Sequence, residues 1–273
     1  NPLAGGVGSI DQLANGNIVV VTNTVPGDPA LATRFAILNG SGGIVKPLTS
    51  AFVNGGTLAP IGNSSVAALA FGGFVIVTSQ ANPAAPPFQL VFEVYDSAGM
   101  FVTRFNHHGG SFSFPDYNPA IVALDDGGFA VAWEEHDIIS LTPNVTIVTA
   151  AFNADGTLRG TSPGFASFSL PGNSNIEMCA TDTGYAVISN SKAGGAIAVY
   201  STVLRTYDSS GLNPSTNIVI ESSGLSKSPS IARMPDGLLA ISYEANTQAG
   251  SAQDTVLKLY DPATNQVLST RIV

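Results

Sequence analysis

Residues 118–133 read NPAIVALDDGGFAVAW (Asn118–Trp133). An apolar strand carrying Ile121 and Leu124 meets an Asp-Asp-Gly-Gly turn. A continuous apolar run, Phe129–Ala132, follows and ends on the chain's single tryptophan. Asp and Gly tolerate the positive φ that a tight hairpin needs, so the stretch reads as two antiparallel strands. It has four relatives: IDQLANGNIVVVT, VAALAFGGFVIVT, IEMCATDTGYAVIS and IARMPDGLLAISY. Their first core residues, Ile10, Val66, Ile121, Ile176 and Ile231, lie 56, 55, 55 and 55 positions apart. Three residues on stand Leu13, Leu69, Leu124, Cys179 and Met234, so the lone cysteine falls on a leucine position and reads as a small buried hydrophobe.

A second signature follows each first one: RFAILNGSGG, VFEVYDSAG, VTAAFNADG, VLRTYDSSG and VLKLYDPATN. It aligns Leu38, Tyr95, Phe152, Tyr207 and Tyr260, each followed by Asn or Asp. Two anchors with one period mean five repeats of about 55 residues. Each holds four short strands, and the second strand is apolar throughout, as in a sheet covered on both faces. The expectation is an all-β, five-bladed β-propeller forming one domain over 1–273, with blades near 8–57, 64–110, 118–171, 174–224 and 228–273.

The repeats resemble those of bacterial secreted and surface proteins with the pattern P-x-I-x-x-L-x-D-G-G-F-x-V-x-W; Asn118–Trp133 matches it best. The resemblance implies a secreted, extracellular or cell-surface setting. NPLAGGVGSI reads as the start of a processed chain.

Composition narrows the partners. Charged residues make up 11% of the chain, and the net charge is −9. With no basic patch, nucleic acid and anionic membrane surfaces are repelled. No run approaches a membrane-spanning length, so no membrane insertion is expected. One cysteine excludes an internal disulfide and a cysteine-based zinc site, and no cofactor is expected. Nucleophile-elbow, HExxH, P-loop and calcium-repeat motifs are absent.

The turns within hairpins are short and uniform, whereas the connections between second and third strands vary in length and composition. Recognition belongs on that variable face. Just after each second strand one position is polar in every repeat: Asn23, Ser79, Glu134, Asn190 and Glu244. These, with Trp133 and His136, are the candidate ligand-binding residues, suited to a polyhydroxylated ligand. His107, His108 and His136 lie near acidic residues and are candidates for a metal, although their spacing matches no established ligand set.

Five-bladed propellers also include a large group of glycosidases. That resemblance implies acid and base carboxylates at the inner ends of first strands, and glycoside hydrolysis needs two such groups. Here the first strands offer only Asp11 and Glu177, at matching repeat positions. The main expectation is therefore a non-enzymatic extracellular propeller that binds a glycan or a cell-surface or matrix ligand through the variable face. The alternatives are a self-assembling structural subunit of a filament, sheath or surface layer, whose partner is a copy of itself, and a glycosidase-like hydrolase using Asp11 and Glu177.

Overall fold

The computed structural model describes residues 6–23, 33–52, 64–81, 88–107, 116–137, 144–162, 167–169, 175–193, 199–224, 227–245 and 254–273. They form five antiparallel sheets, each from one repeat. Blade 1 holds β1 (Gly6–Gln12), β2 (Ile18–Asn23), β3 (Arg34–Leu38) and β4 (Ile44–Ser50). Blade 2 holds β5 (Ser65–Ala68), β6 (Phe74–Ala81), β7 (Phe88–Tyr95) and β8 (Phe101–His107). Blade 3 holds β9 (Asp116–Ala123), β10 (Phe129–Asp137), β11 (Asn144–Phe152) and β12 (Leu158–Ser162), and the short β13 (Ser167–Ser169) adds to β11. Blade 4 holds β14 (Glu177–Thr181), β15 (Gly184–Ala193), β16 (Val199–Asp208) and β17 (Ile218–Gly224). Blade 5 holds β18 (Lys227–Arg233), β19 (Leu239–Ala245), β20 (Asp254–Asp261) and β21 (Gln266–Ile272). The chain is a five-bladed propeller, and each blade's four main strands pair in sequence order.

The hairpin turns explain the Gly signature. In blade 3 the Leu124 N–H donates to the Gly128 carbonyl at 2.9 Å, and Gly127 takes φ +90°. A side chain is disfavoured at such a φ. Gly128 is fixed differently: a Cβ there would stand 2.4 Å from the Phe152 carbonyl oxygen of β11. The second glycine of the motif therefore lets the first hairpin lie against the third strand.

Blade 4 departs from the sequence alignment. Ile10, Val66, Ile121 and Ile231 pair with Val20, Ile76, Val131 and Ile241. The residue at that place in blade 4 is Met178, opposite Val187, and not Ile176. The cause is a shorter turn, because Thr181 pairs with Gly184 and leaves only Asp182 and Thr183 between the strands. A slide of two residues keeps every side chain on its original face, so the apolar pattern permits it. Two expectations change. Cys179 is the counterpart of Asp11 rather than of a leucine, although it is buried and its thiol is pushed up to about 12 by desolvation. Glu177 moves to the place held elsewhere by Ser9, Ser65, Ala120 and Ser230.

Apolar cores fill the spaces between blades. Phe35, Phe74 and Tyr95 join blades 1 and 2, while Phe92, Phe129, Trp133 and Phe152 join blades 2 and 3. Ala130, Tyr185 and Tyr207 join blades 3 and 4, and Leu204, Ile241 and Tyr260 join blades 4 and 5. Among the described residues no apolar cluster joins blade 5 to blade 1. Ile10 is 61% exposed there, against 4–8% for Val66, Ile121 and Ile231. Leu257 is 37% exposed, whereas its counterparts Phe35, Phe92 and Leu204 are fully buried. Among the described residues no strand is shared across this seam.

On the face that carries the hairpin turns, Arg233 of blade 5 bonds Asp125 of blade 3 at 2.7 Å and also pairs with Asp182 of blade 4. Arg159 bonds Asp126 at 2.6 Å and the Ser209 carbonyl at 3.1 Å. Turn aspartates that the sequence explains by backbone preference thus also clasp blades 3, 4 and 5 together.

Candidate active site

The inner strands of all five blades converge on a cavity of about 480 Å³. Its wall is made by the starts of β1, β5, β9, β14 and β18, the end that carries the variable connections. Small polar residues dominate it: Ser9, Ser65, Asn118, Asn175 and Ser230. Three wall residues, Asn118, Asn175 and Ser228, adopt φ of +48°, +43° and +47°. Non-glycine residues at such φ store strain of roughly 1 kcal/mol or more, and strain of this kind concentrates where a site dictates the backbone. They occupy similar places at the starts of β9, β14 and β18.

Two carboxylates, Glu134 and Glu177, line this cavity. Along β10, Phe129, Val131 and Trp133 pack toward blade 2, while Ala130 and Ala132 pack toward blade 4. The period of two aims Glu134 at blade 4. Glu177 lies opposite Ile188, which belongs to the core between blades 4 and 5, so it stands on the next face round the ring.

The environments of the two differ. Glu134 is 1% exposed, and its Oε2 accepts from Asn118 Nδ2 at 3.2 Å and contacts His136 Nε2 at 2.7 Å. The His136 ring packs on Tyr117, with centroids 4.5 Å apart. Glu177 is exposed to the cavity and makes no hydrogen bond or ion pair among the described residues. Desolvation by the walls, with nothing opposing it, raises its pKa above the ordinary carboxylate value.

The other expected residues go elsewhere. Asp11 accepts backbone N–H bonds from Ala68 at 2.8 Å and Gln12 at 2.7 Å, which caps the edge of blade 2 and takes it out of any dyad with Glu177. Trp133 is fully buried, and its Nε1 donates to the buried Asp116 at 3.0 Å, so it cannot offer a face to a sugar. Ser79 and Asn190 are buried, at 0% and 2% exposure, and neither lines the cavity. Glu244 is half-buried and also off the wall. Asn23 ends β2, and its side chain lies outside the described set. Of the four equivalent polar positions whose side chains are described, only Glu134 is brought to the cavity.

His107 packs edge-on against Trp133 and Phe152, away from His136. His108 lies outside the described residues. Among the described residues no group of three or more His, Cys, Asp or Glu stands together as a metal cradle. No described helix is long and apolar enough to cross a membrane.

No family model matches the chain, and no curated protein matches it. Solved structures do match in fold. An alpha-L-arabinofuranosidase from Fusarium graminearum in complex with an iminosugar inhibitor is 11% identical, with 100% of this chain and 93% of that one covered and a TM-score of 0.59. A Penicillium chrysogenum alpha-L-arabinanase complexed with arabinobiose is 13% identical, with 97% and 92% covered and a TM-score of 0.58. A protein of unknown function from Dyadobacter fermentans is 12% identical, with 100% and 84% covered and a TM-score of 0.55. At such identities the likeness is one of fold. It nevertheless corrects the main expectation of a non-enzymatic binding propeller. Sugar-cleaving enzymes share this architecture over nearly its whole length, and the cavity holds a second carboxylate, Glu134, where the sequence pairing offered the spent Asp11.

Proposed function

We propose that this chain is a glycoside hydrolase, with Glu177 as general acid and Glu134 as the opposing carboxylate. The observation that carries the reading is the pairing of two carboxylates on one cavity wall in contrasting surroundings. A carboxyl whose pKa is raised keeps its proton and can give it to a departing oxygen. Glu177 has that property, through desolvation and the absence of partners. Glu134, held by donors on Oε2, suits the complementary task. It either takes a proton from an attacking water or attacks the anomeric carbon itself, and the stereochemistry of the product distinguishes the two.

The serine and asparagine wall supplies donors and acceptors for sugar hydroxyls. The similar folds suggest the first substrates to try, arabinans and α-L-arabinofuranosides. An extracellular setting fits this reading, because polymeric glycans are met outside the cell. The test is release of reducing sugar from a panel of polysaccharides and aryl glycosides, with E177Q and E134Q as controls. Hydrolysis that falls about 10²–10⁴-fold in both variants is the expected result. Hydrolysis by the native chain that survives in both variants would sink the assignment of these residues. No hydrolysis of any panel member by the native chain would sink the activity itself.

A further inference from the structure

We infer that His136 is the positioning residue of Glu134, fixing the orientation of its carboxylate and holding it ionised. The inference rests on the reading of Glu134 as the second carboxylate of a hydrolase site, and it adds a residue to that site.

Geometry carries it. His136 follows Glu134 by two residues in β10, so both side chains lie on one face of the strand. The Nε2–Oε2 distance is 2.7 Å, in the range of a charge-assisted hydrogen bond. Asn118 Nδ2 reaches the same oxygen at 3.2 Å. Two donors converging on Oε2 fix rotation about the last side-chain bond and turn Oε1 away from both. The imidazole is itself held. Tyr117 packs on it at 4.5 Å with the rings inclined at 57°, and the His136 side chain is only 17% exposed.

Charge points the same way. Glu134 is buried, so at Oε2 bulk water does not take over the solvating role of these donors. No lysine or arginine is among the residues lining the cavity. The ionisable groups nearby among the described residues are Asp116 and Tyr117 on β9, Glu135 and Asp137 beside His136 in β10, and Glu177 elsewhere in the cavity lining; none is a cation. Among these described residues, the His136 imidazole is the one group that can bring a positive charge to Glu134. The neutral Nε2–H tautomer also donates, so the hydrogen bond does not itself require a charged ring.

The experiment compares the native chain with H136A and H136Q. Steady-state rates on the aryl glycoside found active are measured from pH 4 to 9. The Glu134 signal is also followed by titration of protein labelled with carbon-13 at glutamate carboxyls. In H136A, kcat is expected to fall about tenfold to a hundredfold with KM changed less than about twofold, the size of loss a misplaced reacting group produces. The acidic limb of the profile and the titration midpoint of Glu134 both move to higher pH. H136Q keeps a neutral donor, so it recovers much of the kcat but not the acidic limb. An acidic limb and a Glu134 midpoint that stay put in folded H136A or H136Q overturn the inference. If the native chain hydrolyses nothing, the hydrolase reading fails, and the NMR titration still decides whether His136 controls Glu134.

Discussion

Replacing Glu177 with Gln pulls activity and stability in opposite directions. The Glu177 carboxyl faces the cavity without a hydrogen bond or ion pair among the described residues, and desolvation alone raises its pKa. Gln keeps the shape and removes the titration. Loss of a general acid costs about 10²–10⁴ in rate, or about 3–5 kcal/mol of barrier. The loss is smaller for an aryl glycoside whose leaving group departs without a proton. Stability moves the other way. A carboxyl that holds its proton more tightly when folded favours the native state at low pH. As pH rises through the unfolded and then the higher folded pKa, the unfolded chain ionises first, and that advantage is lost and stays lost. At pH 8 the native protein therefore carries an uncompensated charge that E177Q lacks. Since the Glu177 side chain is exposed to the cavity, solvent screening limits the penalty to about 1 kcal/mol at most. E177Q should thus melt about 1–3 °C above the native protein at pH 8 and level with it at pH 4. Differential scanning calorimetry at the two pH values, beside hydrolysis rates, reads both effects. A variant that melts lower at pH 8, or that shifts equally at both, would refute the claim that Glu177 is a desolvated carboxylate without a partner.

Two further outcomes probe the frame around the site. W133F removes the indole N–H from the buried Asp116 and should cost about 2 kcal/mol in urea unfolding, since a buried polar acceptor loses a donor; an unchanged midpoint would mean that the pair contributes nothing. I121A should cost about 2–4 kcal/mol as a cavity in the core between blades 2 and 3, whereas I10A, at the same repeat position on the exposed seam, should cost under about 1 kcal/mol. Equal losses in the same unfolding assay would show that blades 5 and 1 seal in solution as tightly as the others.

The repeat was legible because Leu124, the Asp-Gly turn and Tyr95-type aromatics recur at a fixed period, and each reflects a local demand of strand or turn. The slide in blade 4 was not. Ile176 and Cys179 copy the apolar signature well, and a two-residue shift conserves the face of every residue, so the pattern alone carries no trace of it. The one readable hint was the Thr-Asp-Thr-Gly turn, which departs from the Gly-Gly form. For the same reason Glu177 was recognised but matched with Asp11, whose bonds to the next blade depend on inter-blade distances. Glu134 was legible as a polar residue ending an apolar strand. Its described equivalents Ser79, Asn190 and Glu244 shared that cue yet do not reach the wall. Trp133 looked like a sugar platform because composition does not reveal that Asp116 waits across the strand pair.

Every main strand in this molecule pairs with its neighbour in sequence. Each sheet can therefore form as its residues leave the ribosome, without waiting for a partner from the far end of the chain, and such local pairing carries little loop-closure cost. Glu134 and Glu177 belong to the third and fourth blades, so the surfaces that hold both exist before residues 227–273 are made. Ser228 and Ser230 then complete the cavity wall as the fifth blade docks, so that blade closes the site rather than assembling it.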